Sequence, residues 1–495
     1  MASTSATSIA KSPVLGAVVF TGSTAYTNPQ LFPAYRGHLG RSITRDSTRE
    51  IAAAVADLYV HDGFVRPEFA VDDALSDSGV LSIRVHEARV SRVVFEGERG
   101  NHAATFDGIA HTLTEAVPLR GEDIQAALRA MRALPGVTIS ATTRRDPAGR
   151  NAHELVVQSR FNPVDGLVRV NNRGTGEVGP AFILGQVYAN GLIGPRGRAG
   201  LLFAAASNPS EYLGGGLLVD TALGAGSTRA NLLLFHSRSD PGEKPTNLDD
   251  RYVRDRATLR VSHPLLATTA SSLSLSAGFE AENLSISRTG IRFRDDRLRI
   301  LETALRASAR GAGSMQYSAS LQLRQGMKGL GAGLEAADLL DDERRADFFN
   351  SQLQVVALRH VGAHWSARVD LFAQYSGHVL PDTERFKIGG DRLGRGFEVA
   401  EIAGDRGLGG KAELRRELLD AGAIMGRIST YGFYDAGTAW KEDRPGRDAA
   451  TTAGVGFGMT GARVTGYLEV AAPLHGPDIE GKRSASVFGE LSWRF

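Results

Sequence analysis

Apolar and polar residues alternate one by one through most of this chain, and that period of two limits the available folds more than any other feature. In SSLSLSAGFEAE (271–282), apolar side chains occupy every second position, with mostly Ser or Glu between them. WSARVDLFAQYS (365–376) and ASVFGELSWRF (485–495) show the same pattern. Because successive side chains of a strand point to opposite faces, the pattern predicts strands with one apolar and one polar face.

The alternation runs from about residue 163 to Phe495. Such a long series of strands suits a barrel or a β-solenoid, but a solenoid should show a short fixed repeat, and the sequence has none. Bulky apolar residues on one face and charged or small polar residues on the other are typical of a barrel with lipid outside and water inside. At roughly 20 residues per strand and connection, we expect a transmembrane antiparallel β-barrel of about 16 strands.

Composition narrows the function classes. No stretch of about 18 apolar residues occurs, which argues against a transmembrane helix. The chain has no cysteine, which excludes disulfides and thiolate metal sites, and its net charge of +2 gives no sign of nucleic-acid binding. HEARV (86–90) and HELVV (153–157) lack the second histidine of a zinc motif. We therefore expect no metal and no cofactor.

Residues 14–162 differ from the rest and contain two similar α/β units of about 75 residues, a tandem repeat. In the first unit, 14–88, the sequence STRE (47–50) has capping-box spacing and predicts a helix start capped by its serine. In the second unit, 89–162, an apolar stripe predicts a helix over 123–134. Strands flank both helices.

A glycine-rich connection at about 380–410 contains LGRGF (393–397), in which Arg395 lies between Gly394 and Gly396. An arginine in such a loop is most often solvated. However, loops of this length are uncommon unless they are functional or disordered. The alternative is a loop that folds inward and directs its arginine at a fixed partner.

A candidate partner lies on a nearby strand. Phe433, Asp435 and Gly437 are spaced i, i+2 and i+4, so they share one face of that strand. Arg427 and Ser429 have the same parity, which marks this face as the water-filled lumen. A carboxylate there favours an arginine, because a guanidinium binds it through two parallel hydrogen bonds.

Motifs for catalysis are weak. GFGMTG (456–461) matches G-x-G-x-x-G, but an alternating strand follows it where a nucleotide site requires a helix. We find no nucleophile elbow, no phosphate loop with its lysine and no convincing acid/base pair. The protein is therefore not expected to be an enzyme.

Short segments in both halves of the chain resemble one family when their order and spacing are taken together. They resemble the outer-membrane transporters of two-partner secretion, the haemolysin secretion/activation family of the POTRA-barrel superfamily. The segments in the first half are FTGSTAY (20–26), LYVHDGF (58–64), LSIRVHEARV (81–90) and LPGV (134–137). Those in the second half are VNNRGTGEVG (170–179), VSHPLL (261–266), RQGMKGLGA (324–332), FKIGGDRLGRGFE (386–398) and YGFYDAGTAW (431–440).

The resemblance implies a domain plan: an N-terminal tail at 1–13, POTRA 1 at 14–88, POTRA 2 at 89–162 and the barrel at 163–495. It also implies that the loop at about 380–410 folds into the barrel. There Arg395 would meet Asp435 of the F-x-D-x-G strand motif, which includes Phe433 and Gly437. Gly394 and Gly396 would let the backbone turn tightly, and Phe397 would pack against the inner wall.

The resemblance further implies type V secretion across a Gram-negative outer membrane. The N-terminal secretion domain of an unfolded exoprotein would dock on periplasmic POTRA domains, and the exoprotein would then cross the barrel. The other expected partners are outer-membrane lipid and the barrel-assembly machinery, for which Trp493 and Phe495 form a C-terminal signal. No signal peptide is visible, and we expect it to have been removed. The alternatives are a factor that assembles or inserts other barrel proteins, and a passive porin.

Overall fold

The computed structural model of the chain contains two compact units, which join between Pro163 and Val164. Among the residues it describes, no helix is long and apolar enough to cross a membrane. The described residues are 14–71, 79–175, 178–224, 226–242, 250–336, 343–443, 445–477 and 484–495.

The first unit contains two modules that repeat one topology. In each module a strand is followed by two helices and then two strands, and the last strand lies at the centre of a three-stranded sheet. The central strand is parallel to the first strand and antiparallel to the second. The first module comprises β1 (Ala17–Thr21), α1 (Asn28–Tyr35), α2 (Arg45–His61), β2 (Glu68–Val71) and β3 (Val80–His86). The second comprises β4 (Arg89–Gly97), α3 (Ala103–Glu115), α4 (Gly121–Arg132), β5 (Val137–Arg145) and β6 (Ala152–Phe161).

The start of α2 corrects a sequence expectation. Thr44, not Ser47, is the N-cap: its backbone is extended, and its side chain accepts a hydrogen bond from the Ser47 amide at 3.1 Å. Ser47 takes the third helical position of the capping box and bonds back to the Thr44 amide at 2.9 Å. The box therefore begins three residues earlier, and the Ser47 hydroxyl takes the place that glutamate usually has at its far end.

A buried carboxylate organises the first module. Glu87 accepts hydrogen bonds from the Thr24 amide (2.8 Å), the Thr24 hydroxyl (2.6 Å), the Ala25 amide (3.0 Å) and the Tyr59 hydroxyl (2.7 Å). Burial by itself raises the pKa of Glu87, but these hydrogen bonds outweigh it and hold the pKa below its ordinary value. The ionised carboxylate thus joins the turn after β1, helix α2 and the end of β3.

The second unit is a closed antiparallel barrel, and its wall has sixteen strand positions, because the short β16 extends the position of β15 along β14. The expected barrel of about 16 strands is confirmed. The first nine strands are β7 (Val164–Asn171), β8 (Phe182–Asn190), β9 (Gly197–Ala206), β10 (Tyr212–Ala222), β11 (Arg229–Ser239), β12 (Asp250–Ala267), β13 (Ser271–Arg288), β14 (Ile291–Arg310) and β15 (Met315–Gly326). The next two strands are β16 (Gly333–Ala336) and β17 (Phe349–Val361).

The remaining elements complete the wall and include one short hairpin outside it, β19 with β20. A four-residue helix, α5, lies in the turn between β21 and β22. These elements are β18 (Trp365–Tyr375), β19 (Phe386–Ile388), β20 (Ile402–Gly404), β21 (Arg406–Asp420), α5 (Gly422–Met425), β22 (Arg427–Trp440), β23 (Asp448–Thr460), β24 (Val464–His475) and β25 (Ser486–Arg494).

The last strand, β25, closes the barrel against the first, β7. One residue after β25, Phe495 exchanges two backbone hydrogen bonds of 3.1 Å with Gly166 of β7. The Phe495 ring lies so close to Gly166 that a Cβ there would be 2.0 Å from its Cζ atom. A larger residue at position 166 would therefore displace the Phe495 ring.

The two faces of β18 show how the barrel is filled. Val369 and Leu371 are 43% and 51% exposed on the outer face, as expected for a surface in contact with lipid. Asp370 and Phe372, on the inner face, are only 2% and 3% exposed. Residues 376–405 connect β18 to β21 and are here called the inward loop. Several buried apolar residues of this loop pack in one cluster with Phe372. The lumen is therefore occupied at this level.

We predict that Glu87→Gln destabilises the first module at neutral pH. Because the folded pKa of Glu87 lies below its unfolded value, its stabilisation is present above the ordinary carboxyl pKa and is lost as pH falls through the folded pKa. The expected loss is about 1–3 kcal/mol, the usual cost of leaving buried donors unsatisfied. Amide hydrogen exchange in β1, α2 and β3 of the full chain measures it.

Glu50→Gln is the matched control, since this α2 carboxylate is 69% exposed. The difference between Glu87→Gln and the unaltered protein should shrink as the solution is acidified. Equal exchange rates for Glu87→Gln and Glu50→Gln at pH 7 would contradict the role of the buried carboxylate.

Candidate functional site

The inward loop is anchored in the lumen by apolar packing. Its residues Phe386, Ile388, Leu393 and Phe397 are each less than 10% exposed. They belong to one cluster with Phe372, Ala439 and Ala450 of the wall. Burial of several large apolar side chains inside a polar lumen favours one loop position over a solvated ensemble.

Glycines allow the loop to approach the wall. Gly394 has φ +80°, a left-handed conformation that favours glycine. Gly396 lies against β23 and β24, where a Cβ would lie 2.9 Å from both the Pro473 nitrogen and the Thr452 Cγ2 atom. On the wall, a Cβ at Gly437 would lie 2.9 Å from Ile388 Cδ1. Three of the motif glycines thus have steric roles in seating the loop.

Arg395 and Asp435 form the centre of the site. The guanidinium donates two hydrogen bonds to the carboxylate, Nη2 to Oδ1 at 2.8 Å and Nε to Oδ2 at 3.0 Å. The backbone amides of Gly394 (3.2 Å) and Arg395 (3.1 Å) also donate to Oδ2. Asp435 is fully buried and Arg395 is 5% exposed. One carboxylate therefore binds both the side chain and the backbone turn of LGRGF.

The neighbouring charges form a balanced group, here called the tip cluster. Arg395 Nη1 lies 3.3 Å from Glu413 and 3.6 Å from Glu469. Glu413 also pairs with Arg415 at 2.9 Å, and Glu469 pairs with Arg173. The cluster contains three guanidinium groups and three carboxylates: Arg173, Arg395, Arg415, Glu413, Asp435 and Glu469. Removing one partner of such a buried pair typically costs about 3–5 kcal/mol.

Aromatic rings complete the tip cluster. The Arg395 guanidinium carbon lies 3.5 Å from the centroid of the Phe433 ring, a cation–π geometry. The Tyr431 hydroxyl donates to Glu469 at 2.8 Å. Phe433 thus supports the arginine from the same strand that supplies Asp435, which gives a physical reason for the F-x-D spacing. The planar guanidinium fits both the ring and the carboxylate, and lysine would fit neither as well.

The remaining candidate residues lie apart from this cluster or at its margin. Phe397 is 6% exposed and covers Gly476, whose Cβ would be 2.5 Å from the ring Cζ atom. Trp493 and Phe495 lie at the end of β25, with ring centroids 4.9 Å apart, and are 48% and 37% exposed. They belong to the closing seam of the barrel and do not contribute to the tip cluster.

Sequence reasoning missed Arg173, Glu413 and Glu469. Arg173 lies in VNNRGTGEVG and donates to the backbone oxygen of Arg395 at 3.3 Å, although the two are 222 residues apart. Glu469 lies on β24 with inward parity and is 3% exposed. The one sequence signal that could have identified Arg173 is its position in a turn motif that had no assigned role. Its partners could not be predicted, because they depend on the order of the strands around the barrel.

Within the described part of the chain, no group of three or more metal-ligating side chains could hold a metal ion. The charged residues of the tip cluster bind one another.

The barrel that contains the tip cluster is similar to known outer-membrane proteins. The model of the haemolysin secretion/activation proteins ShlB/FhaC/HecB matches residues 254–461, which run from β12 through β23 and include LGRGF and Asp435. This segment of the barrel is therefore similar to that family. The family resemblance expected from the sequence motifs is confirmed.

Individual relatives agree with this family. The outer membrane transporter CdiB of Dickeya dadantii (strain 3937) is 21% identical over 435 residues, which cover 86% of this chain and 76% of that protein. The structure of CdiB from Escherichia coli matches with a TM-score of 0.77 at 18% identity, covering 100% of this chain and 93% of that one.

More distant structures share the fold. CdiB from Acinetobacter baumannii matches with a TM-score of 0.65 at 13% identity, covering 98% of this chain and 90% of that one. BamA from Haemophilus ducreyi lacking POTRA domains 1–3 matches with a TM-score of 0.56 at 11% identity, covering 98% and 100%. The fold common to these proteins is a barrel preceded by small α/β modules.

We predict that Gly396→Val dislodges the inward loop from the barrel wall. The added side chain meets backbone atoms of β24, which cannot rotate away, so the loop must shift. Faster amide hydrogen exchange over residues 386–404 is the expected result. Gly377→Val is the control in the same loop, because a Cβ there meets nothing within 4 Å. Unchanged protection in Gly396→Val would contradict the steric role.

Proposed function

We propose that this protein is an outer-membrane transporter that secretes an unfolded partner protein through its barrel. The observation that carries the proposal is an occluded lumen: the inward loop is held across a closed barrel by the Arg395–Asp435 pair. A passive porin needs no such loop latch. A transporter needs an element that closes the pore at rest and yields when a client enters.

The first unit supplies a client-binding surface in this proposal. We assign its modules as POTRA 1 (14–88) and POTRA 2 (89–162), located in the periplasm. Strand β5 forms one edge of the second sheet, and in the described residues it pairs only with β6. Most of its side chains are exposed. An extended segment of the client's N-terminal secretion domain can add to such an edge through main-chain hydrogen bonds.

Two observations favour secretion over assembly of other barrel proteins. The family model that matches this barrel is the haemolysin secretion/activation model. The TM-score is also higher against CdiB from Escherichia coli, 0.77, than against BamA from Haemophilus ducreyi, 0.56. Since no nucleotide-binding motif is present, we propose that client binding and folding outside the membrane drive transport.

Deleting the gene is predicted to abolish export of one large secreted protein and to leave other outer-membrane proteins at normal levels. Quantitative proteomics of the culture medium and the outer-membrane fraction measures both. Re-expression of the gene should restore export. A general loss of barrel proteins would favour the assembly function, and loss of small-solute uptake alone would favour the porin.

We predict that Arg395→Ala and Asp435→Ala each reduce export, and that the double variant is no worse than either single variant, because both remove one interaction. Arg395→Lys should not restore full export, since an ammonium cannot replace the bidentate fork. Export is measured as client in the medium relative to assembled barrel, which retains its heat-modifiable mobility on gels.

Arg427→Ala is the matched control for the latch. Arg427 of β22 pairs with Glu417 of β21 at 3.2 Å, and these two wall side chains are 60% and 34% exposed. The substitution should leave export unchanged. Additive losses in the double variant, or full export by Arg395→Ala, would exclude the latch.

A further inference from the structure

A second buried charge cluster, here called the base cluster, lies on a different part of the wall. Arg324 of β15 is 8% exposed. It donates two hydrogen bonds to Glu384 of the inward loop, Nε to Oε2 at 2.7 Å and Nη2 to Oε1 at 2.8 Å. It also binds Glu302 of β14 at 2.8 Å and Glu280 of β13 at 2.9 Å. These four residues form the base cluster.

In the base cluster, the charges of the loop and the wall are opposite to those in the tip cluster. At the tip, the loop supplies an arginine and the wall supplies the carboxylate; at the base, the wall supplies Arg324 and the loop supplies Glu384. Strands β17, β18 and β21 separate β15, which carries Arg324, from β22, which carries Asp435. The loop is thus fastened to two distinct parts of the wall.

Further hydrogen bonds hold the base of the loop. The backbone oxygen of Glu384 accepts from Gln374 at 2.9 Å and from Asn350 at 3.2 Å. At the other end of the loop, the fully buried Asp405 accepts from the amides of Leu380 and Glu442, each at 2.8 Å. The segment 386–404 between these fastenings carries Arg395 near its middle.

We propose that Arg324 and Glu384 are positioning residues that fix the base of the inward loop, so that release of Arg395 from Asp435 moves only residues 386–404 as a hinged flap. The inference rests on the proposed role of the loop in closing the pore. Because Glu384 and Asp405 keep their hydrogen bonds, both ends of the flap stay in place. The flap can then return to Asp435 after only a local movement. Opening of the full pore then requires release at both clusters.

The base cluster is also asymmetric in charge. Without Arg324, Glu302 keeps Arg260 and Glu280 keeps Arg256. The buried Glu384, in contrast, loses its ion-pair partner and lies on a movable segment. Without the Glu384 charge, Arg324 keeps Glu280 and Glu302 as partners. Arg324→Gln should therefore release the base more completely than Glu384→Gln.

Single-cysteine spin labels test the hinge, because the chain has no cysteine of its own. One label replaces Thr383 beside the base, and another replaces Val399, which is 53% exposed on the flap. Each is introduced into the unaltered full-length protein and into the variants Arg395→Ala, Glu384→Gln, Arg324→Gln and Arg324→Lys, in lipid vesicles. Electron paramagnetic resonance reports the mobility of each label, and planar bilayers report pore conductance.

We expect Arg395→Ala to convert the label at 399 from an immobilised to a mobile spectrum while the label at 383 stays immobilised. Glu384→Gln should mobilise the label at 383 in part, and Arg324→Gln should do so fully. Arg324→Lys, which keeps the charge without the fork, should also mobilise it. Conductance should be highest when Arg395→Ala is combined with Glu384→Gln.

Asp220→Asn is the matched control, since the two arginines bound to Asp220 of β10, Arg198 of β9 and Arg229 of β11, both lie on the wall. It should leave both labels immobilised. The hinge is excluded if Arg395→Ala alone mobilises both labels, or if the label at 383 stays immobilised in all three base variants. These measurements need no client, so they can fail while the export experiment succeeds, and the reverse also holds.

Discussion

The closed ladder of backbone hydrogen bonds is the constraint on which the rest of the structure depends. In hydrocarbon an unpaired N–H or C=O group is costly, so a sheet placed there must close on itself. Closure between β25 and β7 turns one face of every strand toward an enclosed space. Inside that space the inward loop, residues 376–405, meets charged partners on distant strands.

Charge inside the barrel is arranged in clusters that bind the loop as well as the wall. The tip cluster holds Arg395 through a carboxylate that also accepts two backbone amides. The base cluster holds Glu384 through a guanidinium that serves three carboxylates. Buried ion pairs contribute modest net stability but penalise incomplete arrangements strongly, so they suit a loop that must occupy one position or leave it.

Several elements could be predicted from local pattern alone. The barrel follows from alternation with a period of two, and α4 follows from its apolar stripe, although it begins and ends two residues earlier than expected. The helix α1 was missed because its short sequence, NPQLFPAY, contains two prolines and little periodicity. At α2 the capping-box spacing was present in two overlapping registers, and only the backbone angles at Thr44 distinguish them.

Some residues of the candidate site could likewise be predicted from the sequence, and others could not. Parity along one strand predicted that Phe433, Asp435 and Gly437 share the lumen face, because that argument is local. The pairing of Arg395 with Asp435 was implied by the family resemblance. Arg173, Glu469 and the entire base cluster depend on which strands become neighbours after closure and on how far the loop descends. Those are long-range properties. The sequence by itself therefore determined the alternating pattern of a barrel, and its family resemblance implied one charged pair. Only the tertiary structure decided that the loop is fastened twice, since folding alone brings Glu384 to Arg324, 60 positions away in the chain.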